Sequence, residues 1–475
     1  MANPARSYDA VVVGSGPNGM AAAITLARAG RSVLVIEAQD EPGGGARSAN
    51  LTLPGFTHDL FSAVHPLAVE SPFFQSLPLE QYGLEWIHSP AVLAHPLDGG
   101  DAAILRRSVD ETAAGLGRDA EPYRRRVAPL LDDWPYFKSE FLRPIRFPRH
   151  PFRLARFGIP ALMPARMLAK LAFKDARARA LFAGIAAHST LSLDAPGSSS
   201  FGLALLLAGH NVGWPMPRGG AGAISQALIS YFKAIGGELV TGTPVETMVQ
   251  LPSARAVLFD VGPGQLARIA ANELPASFRA RLTGFRRAPG VFKLDWALRG
   301  PIPWANRDVA QAATVHVGGT LDELAASEHC ATRGEVNERP YVLLVQPSLF
   351  DPTRAPQGNH TAWAYCHVTN GSTVDMTARI EAQVERFAPG FRDLILARHV
   401  LSPAGIEQRN ANLVGGDING GAVNLMQLFL RPTARLYGTP RRDIFICSAS
   451  TPPASGVHGL CGYYAANEAL STCLK

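Results

Sequence analysis

Residues 8–48 read YDAVVVGSGPNGMAAAITLARAGRSVLVIEAQDEPGGGARS, the clearest structural pattern in the chain. An apolar strand over residues 11–13 leads directly into three glycines. Gly14 permits a tight turn, Gly16 lets the backbone approach a pyrophosphate, and Gly19 lets the next helix pack closely on the strand. The spacing predicts a strand–turn–helix unit that binds a dinucleotide.

The helix and strand that follow complete this pattern. Pro17 fits the first turn of a helix, where a missing N–H costs nothing, and the helix N-terminus attracts phosphate. The strand over residues 32–36 ends on Glu37, about 20 residues beyond the turn, where a carboxylate accepts ribose hydroxyls. The predicted cofactor-binding positions of this unit are Gly14, Gly16, Pro17, Asn18, Gly19, Glu37 and Ala38.

A second glycine-rich turn, EPGGGARS, follows the acid and indicates which dinucleotide is bound. Successive glycine N–H groups form an anion-binding concavity, and an arginine adds paired donors to phosphate oxygens. The segment resembles the Gly-Gly/Arg element that follows the ribose acid in FAD-binding flavoenzymes of the glutathione-reductase-like superfamily. That resemblance implies FAD and adds Gly43, Gly44, Gly45 and Arg47 to the cofactor-binding positions.

Composition limits the class of protein. The chain has 475 residues, of which 47% are hydrophobic and 18% charged, and this composition favours a globular protein of two or three domains. The net charge of +6 is modest for this length and does not indicate nucleic-acid binding. The five cysteines form no CxxC pair, so we predict neither a zinc site nor a redox dithiol, and no metal site of another kind. The N-terminus lacks a signal-peptide pattern, so we expect a cytoplasmic protein.

The rest of the chain alternates between recognisable and irregular segments. Residues 75–213 are expected to be long and irregular. Helix 223–234 and strands 238–241 and 256–261 return to the nucleotide-binding pattern. Strand-like alternation over residues 290–316, 341–345 and 360–368 suggests a mixed sheet. Gly262-Pro-Gly264 mimics a second nucleotide turn, but Arg286 and Arg287 stand where an acid is needed, so we interpret it as a turn inside the first domain.

Taken together, residues 11–47, 214–245, 260–263 and 444–470 resemble the phytoene-desaturase-related flavoproteins, which share one FAD superfamily with the amine oxidases. The resemblance implies an α/β fold: a Rossmann-type, glutathione-reductase-like FAD-binding domain with an inserted α+β substrate domain built on a mixed sheet. Residues 1–70, 215–285 and 430–475 would form the discontinuous FAD-binding domain, and residues 71–214 and 286–429 the substrate domain.

The same resemblance implies further site residues. The strand ending at Val245 resembles the one whose backbone contacts adenine, and the segment 448–462 resembles the one that passes beneath the flavin. Its cofactor-binding positions are Ser448, Gly456, Val457 and Gly459. A helix that begins there would direct its N-terminus at the flavin, where the helix dipole stabilises a reduced, anionic ring.

Three residues are candidates for catalysis. Lys293 lies in a segment that resembles the amine oxidase strand whose lysine holds a water near the flavin N5. His458 lies between Gly456 and Gly459, where close backbone approach would expose its ring to the flavin, and His58 is the third candidate. Asp59, His65 and Asp417 are alternatives, and each of these polar residues could instead be an ordinary turn or surface group.

Residues 143–179 contain ten Lys or Arg and a single acid, interleaved with Phe, Leu and Met. Such a segment suits an anionic membrane surface, so we expect a peripheral membrane contact there, with a solvated helix face or an oligomer contact as the alternative. No stacking platform or nucleic-acid-binding module accompanies the charge, so nucleic acid is not an expected partner. The oligomeric state is open.

The sequence therefore predicts an FAD-dependent oxidoreductase resembling phytoene desaturases. Hydride would pass between a small apolar substrate, isoprenoid or lipid-like, and flavin N5, with reoxidation by oxygen or a quinone. Three alternatives stay open: an amine oxidase, whose aromatic cage would have to use Tyr463 and Tyr464; a redox-neutral double-bond isomerase; and a flavin-containing partner-binding protein without turnover.

Overall fold

The computed structural model describes residues 7–144, 146–424, 427, 430–453 and 455–475. In chain order, the strands of this part are β1 (Tyr8–Val13), β2 (Val33–Ile36), β3 (Ser48–Ala49), β4 (His58–Asp59), β5 (Trp86–Ile87), β6 (Ala91–Pro96), β7 (Ala102–Leu105), β8 (Met216–Pro217), β9 (Glu238–Val240), β10 (Ala254–Phe259), β11 (Gly290–Leu298), β12 (Ala312–Val317), β13 (Val342–Val345), β14 (His360–Val368), β15 (Ile395–Leu401) and β16 (Ile444–Ile446).

The α-helices of the same part are α1 (Pro17–Arg28), α2 (Pro66–Glu70), α3 (Pro72–Gln75), α4 (Val109–Ala114), α5 (Ala120–Asp132), α6 (Trp134–Phe141), α7 (Pro151–Leu162), α8 (Ala165–Ala172), α9 (Ala176–Ala186), α10 (Ser199–Val212), α11 (Gly222–Ala234), α12 (Pro263–Ile269), α13 (Ala276–Thr283), α14 (Leu321–Arg333), α15 (Thr377–Phe387), α16 (Pro403–Arg409) and α17 (Leu460–Thr472).

A five-stranded parallel sheet, in the order β16–β10–β1–β2–β9, carries the nucleotide-binding unit. Val13, the last residue of β1, lies opposite Ile36 on one side and Phe259 on the other. The residues that follow these three strand ends therefore meet at one edge of the sheet, which is where parallel α/β sheets bind ligands. The predicted Rossmann-type α/β fold is confirmed.

A second, seven-stranded sheet has the order β15–β11–β14–β13–β12–β6–β7. Its pairs are antiparallel except β12 with β6, so the predicted mixed sheet is also confirmed. Strand β11, the second from the β15 edge, is buried along its whole length. Its even-numbered residues from 292 to 298 join one apolar core, and its odd-numbered residues face the other way because strand side chains alternate.

The expectation of irregular structure over residues 75–213 is wrong. This stretch holds strands β5–β7 and helices α4–α10. The helices build a layer against the mixed sheet. Its pattern misleads for physical reasons: prolines lie inside α5 and α7, and α10 is buried on several sides. A helix that is apolar around most of its circumference shows little of the 3.6-residue period that identifies helices in a sequence.

Candidate functional site

A cavity of about 600 Å³ begins at the carboxyl edge of the parallel sheet and extends to the mixed sheet. At one end it is lined by the first glycine turn, including Gly14 and Gly16. At the other end it reaches Lys293 of β11 and Trp363 of β14. The cavity therefore joins the predicted nucleotide-binding turn to a chamber between the two sheets.

The first glycine turn has the geometry that its sequence predicts. Gly14 has φ +100°, a backbone conformation that is strained for any residue with a side chain. A Cβ on Gly19 would lie 2.1 Å from the carbonyl oxygen of Gly14. Gly16 is the N-cap of α1, and Pro17 occupies the first turn of that helix. Asn18 lines the cavity too, and its buried Oδ1 has no hydrogen-bond partner among the described residues.

Glu37 stands at the cavity wall, held by its neighbours. Its Oε2 accepts hydrogen bonds from the Ser15 N–H (2.8 Å) and the Ser15 hydroxyl (2.6 Å), and its Oε1 accepts one from the Gln39 N–H (2.9 Å). A carboxylate has about four acceptor sites, so one is left for a ribose hydroxyl. Ala38, beside it, also lines the cavity.

Asp260, which the sequence analysis did not assign to the site, follows β10 and faces the same turn. Its Oδ2 accepts a hydrogen bond from the Gly19 N–H (2.9 Å) and lies 2.7 Å from where a Gly16 Cβ would be. Burial raises the pKa of Asp260 to about 8, so this carboxyl is largely protonated at neutral pH and does not repel phosphate there. A signal was available, because an acid directly after a strand parallel to β1 must emerge at this edge.

The second glycine turn differs in part from expectation. Gly44, Gly45 and Arg47 line the cavity, whereas Gly43 packs against Ser225. The Arg47 guanidinium donates its hydrogen bonds to the backbone oxygens of Glu41, Gly44 and Arg409, so it braces the loop instead of presenting a fork to phosphate.

Next to these turns lies the region that resembled a second nucleotide site. Gly262 and Pro263 line the same cavity, at the end of β10 beside β1. They extend the first site, as we interpreted them, because both turns open at one sheet edge.

Lys293 is placed at the opposite end of the cavity, and Asp295 fixes it. Both side chains are on the same face of β11, since they are two residues apart in a strand. Lys293 Nζ donates to Asp295 Oδ1 at 2.5 Å and lies 5.3 Å from the ring centroid of Trp363. Burial alone raises the pKa of Asp295, but the Lys293 ammonium and the adjacent His399 and His58 hold it below its ordinary value.

His58 lies behind this pair and does not line the cavity. Its Nδ1 is 3.8 Å from Asp295 Oδ1, and its Nε2 is 2.8 Å from the Thr52 hydroxyl. Burial lowers the pKa of His58 to about 4, so the ring is neutral near pH 7. The structure therefore brings Lys293 and His58 together through Asp295, a residue that the sequence analysis missed although its two-residue spacing from Lys293 was visible.

The remaining cofactor-binding predictions divide by position. Val245, Ser448, Gly456 and Val457 line the cavity, whereas Gly459 does not. Gly459 is the N-cap of α17 with φ +70°, and a Cβ there would meet Ala21 and Phe73 at 2.9 Å. It therefore lets α17 approach α1 and leaves contact with the cavity to the residues before it.

These residues fit a dinucleotide: a glycine turn with no room for a Cβ, a fixed carboxylate at a strand end and a buried amide oxygen without a partner in the described part of the chain. Comparison with known proteins agrees. Residues 12–72 match the family model for an NAD(P)-binding Rossmann-like domain. Over 97% of its length the chain is 26% identical to pyridine nucleotide-disulfide oxidoreductase domain-containing protein 2 of Mus musculus, covering 93% of that protein.

The chain is also 25% identical to the lycopene-forming phytoene desaturase of Pantoea ananas, over 95% of this chain and 96% of that protein. These relatives show an oxidoreductase that is similar in sequence to the phytoene desaturases. Among solved structures, a triple mutant of putrescine oxidase aligns with a TM-score of 0.64 over 98% of this chain and 99% of that one. Its identity is 16%, so that likeness shows the shared fold alone.

The walls of the oxidoreductase's chamber are mainly aromatic and aliphatic. The aromatic side chains that line the cavity are Phe61, Phe201, Trp214, Trp363 and Tyr365. Trp363 and Tyr365 stack on one another, with ring centroids 5.7 Å apart and an angle of 17°, so they form one flat wall. Tyr463 and Tyr464, which an amine-oxidase cage would have required, do not line the cavity, because they pack against Phe73 and Tyr437.

His188 is a second group of the oxidoreductase's chamber that the sequence analysis missed. It lines the cavity from the turn after α9, and its Nε2 is 3.0 Å from Nε2 of the fully buried His316 on β12. Burial lowers the pKa of His188 to about 3, so it faces the cavity as a neutral imidazole. No local motif surrounds His188, which explains why the sequence did not reveal it.

His458 does not expose its ring to the cavity, contrary to expectation. The ring is buried, and its Nδ1 accepts a hydrogen bond from the Leu460 N–H at 3.0 Å, so it caps α17. Of the alternatives, His65 lines the cavity, Asp59 forms a buried ion pair with Arg354, and Asp417 accepts from the Ala288 and Asn419 N–H groups.

Among the described residues of the oxidoreductase, every helix is too short or too polar to span a lipid bilayer. No group of three or more His, Cys, Asp or Glu in that part is arranged to hold a metal ion.

Proposed function

We propose that the chain binds FAD and transfers hydride between flavin N5 and an apolar, isoprenoid or lipid-like substrate, with reoxidation by oxygen or a quinone. The observation that carries this proposal is the continuity of the cavity, from the glycine turn to an aromatic and aliphatic chamber that holds Lys293. Its relative in Pantoea ananas is a phytoene desaturase, and phytoene is a substrate of the proposed class.

The nucleotide half of the cofactor would be held by backbone groups. The Gly14–Gly19 turn and the N-terminus of α1 offer N–H donors to the pyrophosphate, and Glu37 accepts from the ribose. Protonated Asp260 adds a neutral donor beside the turn. When bound, FAD supplies the hydride acceptor or donor.

The chain's own groups at the other end orient the substrate and manage protons. The Trp363–Tyr365 wall and Phe201 pack against an apolar chain and exclude water. Asp295 fixes the Lys293 ammonium at this end of the chamber, where the ammonium can donate hydrogen bonds. His188 presents a neutral, weakly basic imidazole to the substrate, with His316 hydrogen-bonded behind it.

The domain division is part of the proposal. All five strands of the parallel sheet come from segments assigned to the FAD-binding domain, and all seven strands of the mixed sheet come from segments assigned to the substrate domain. We propose that the first binds the dinucleotide and the second selects the substrate.

The test is anaerobic reduction of the purified, flavin-containing protein by candidate substrates. We expect phytoene to bleach the visible flavin absorbance, and the aliphatic amine dodecylamine to leave it unchanged. Bleaching by the amine alone would favour an amine oxidase. A double-bond shift without bleaching would favour an isomerase, and binding without either change would indicate a protein without turnover.

A further inference from the structure

Six large apolar side chains project from the α7–α8 region into solvent. They are Phe147, Phe152, Ile159, Leu162, Met167 and Leu171, and we call this set the α7–α8 patch. Phe147 is 87% exposed and Phe152 is 91% exposed, so these rings contribute almost nothing to the core. Isolated exposed apolar residues are normal, but five on two consecutive short helices, with Phe147 just before them, mark an interaction surface.

The patch is not the face by which these helices pack. α7 buries Phe157 and Ala161, and α8 buries Ala165 and Ala169, all within the core of the helical layer. Both helices therefore carry apolar residues on their outer side in addition to a complete inner face. The outer apolar residues are not part of the core, so their exposure indicates a surface that binds a partner.

Charge around the patch identifies the chemistry of that partner. Arg146 and Arg149 are exposed beside Phe147. The positive charge of two neighbouring arginines is compensated by Asp133. Its Oδ1 lies 3.6 Å from Arg153 Nη1, and its Oδ2 lies 3.3 Å from Arg156 Nη1.

On α8, Asp322 pairs with Arg166 (2.8 Å) and Lys170 (3.2 Å), and Asp194 lies 3.4 Å from Arg166. Even so, residues 143–179 contain ten basic residues against one acid. Protruding aromatic and aliphatic groups among cations fit the acyl–headgroup boundary of an anionic bilayer.

A single helix, α10, separates the patch from the cavity. α10 packs against α7 and α8 on one side, and the Leu162 and Met163 carbonyl oxygens accept hydrogen bonds from the N–H groups of Gly197 and Ser199 near its start. On its other side, α10 contributes Phe201 and Leu205 to the cavity wall. A bilayer against the patch would therefore lie one helix away from the chamber.

We propose that the α7–α8 patch docks on an anionic phospholipid surface, from which the apolar substrate reaches the chamber alongside α10. The second half of this statement rests on the proposed function. The docking itself does not, because it can be measured without turnover.

The experiment is sedimentation of the flavin-containing full chain with vesicles of phosphatidylcholine and phosphatidylglycerol, and with vesicles of phosphatidylcholine alone. We expect binding to the anionic vesicles that weakens as salt rises. The variant Phe152→Ser/Ile159→Ser/Leu171→Ser should lower the partition coefficient about tenfold or more, since membrane binding scales with inserted apolar area. Val249→Ser is the matched control, since Val249 is 89% exposed but lies outside the patch.

Unchanged flavin content and circular dichroism would establish that the triple variant is folded. Three results would overturn the proposal: no binding of the wild-type chain to anionic vesicles, equal binding by the triple variant, or loss of binding in Val249→Ser. Light scattering gives one more test. A concentration-dependent dimer that the triple variant abolishes, without vesicle binding, would assign the patch to a contact between copies of the chain. A chain that binds vesicles but fails to oxidise phytoene would contradict the proposed function and leave the docking intact.

Discussion

The two ends of the cavity are built by different means. At the nucleotide end, backbone geometry dominates: Gly14, Gly16 and Gly19 make room, and Glu37 ends a neighbouring strand. At the chamber end, side chains from separate strands and turns dominate, with Lys293 fixed by a buried carboxylate. The first end tolerates almost no added atom, whereas the second depends on charge balance. Substitutions at each end should therefore fail in different ways.

The largest effect should come from Gly19→Ala at the nucleotide end. The new Cβ would lie 2.1 Å from the Gly14 carbonyl oxygen, so the turn and α1 must move apart. We expect loss of bound flavin, measured as cofactor content of the purified protein and as FAD affinity of the apoprotein. Gly264→Ala is the matched control, because a Cβ there meets nothing within 4 Å. Equal flavin content in both variants would contradict this account of the turn.

The next effect should come from Asp295→Asn at the chamber end. This change leaves the buried Lys293 ammonium without its counter-charge, and removing one partner of a buried ion pair costs about 3–5 kcal/mol. Denaturant unfolding would measure the loss, with flavin binding at the other end retained in the folded fraction. In Asp322→Asn, which removes an exposed partner of Lys170, we expect a change of about 1 kcal/mol or less. Similar losses in the two variants would show that the Lys293–Asp295 pair is not buried as described.

A smaller effect, a pH dependence of the free energy of unfolding, should come from Asp260 at the nucleotide end. Asp260 has a pKa of about 8 in the folded apoprotein against an ordinary value of 3.8, so the folded state binds the extra proton between these values. Its contribution to stability is greatest below pH 4 and is lost as pH rises towards 8, at about 1.4 kcal/mol per pH unit.

Asp260→Asn should flatten this decline, measured by urea unfolding of the apoprotein across that range. A decline that persists unchanged in the variant would assign the pH dependence to other groups. Bound pyrophosphate should strengthen the preference for the protonated form.

The same contrast explains what the sequence could reveal. The nucleotide unit was predictable because its turn, helix and acid lie within 41 consecutive residues. Asp260 was missed because its strand is remote in sequence and joins β1 only in the folded sheet. His188 lies in the turn after α9 and His316 on β12, and no local sequence pattern indicates that they meet. His458 was placed in the right segment, but the backbone before α17 turns its ring inwards to cap the helix.

The helical layer was missed for a related reason. α10 lies between other helices and the cavity and therefore lacks a polar face, so its sequence reads as an apolar run without period. In contrast, β14 was predicted from alternation alone and spans His360–Val368 as expected.

The most direct test of the central claim is the identity and amount of cofactor released from the purified, denatured chain, determined by chromatography and mass spectrometry. We expect a single FAD per chain, which FAD and not NADP restores after the cofactor has been removed. A chain that carries no flavin and takes none up, or that binds NADP at the Gly14–Glu37 unit instead, would contradict it.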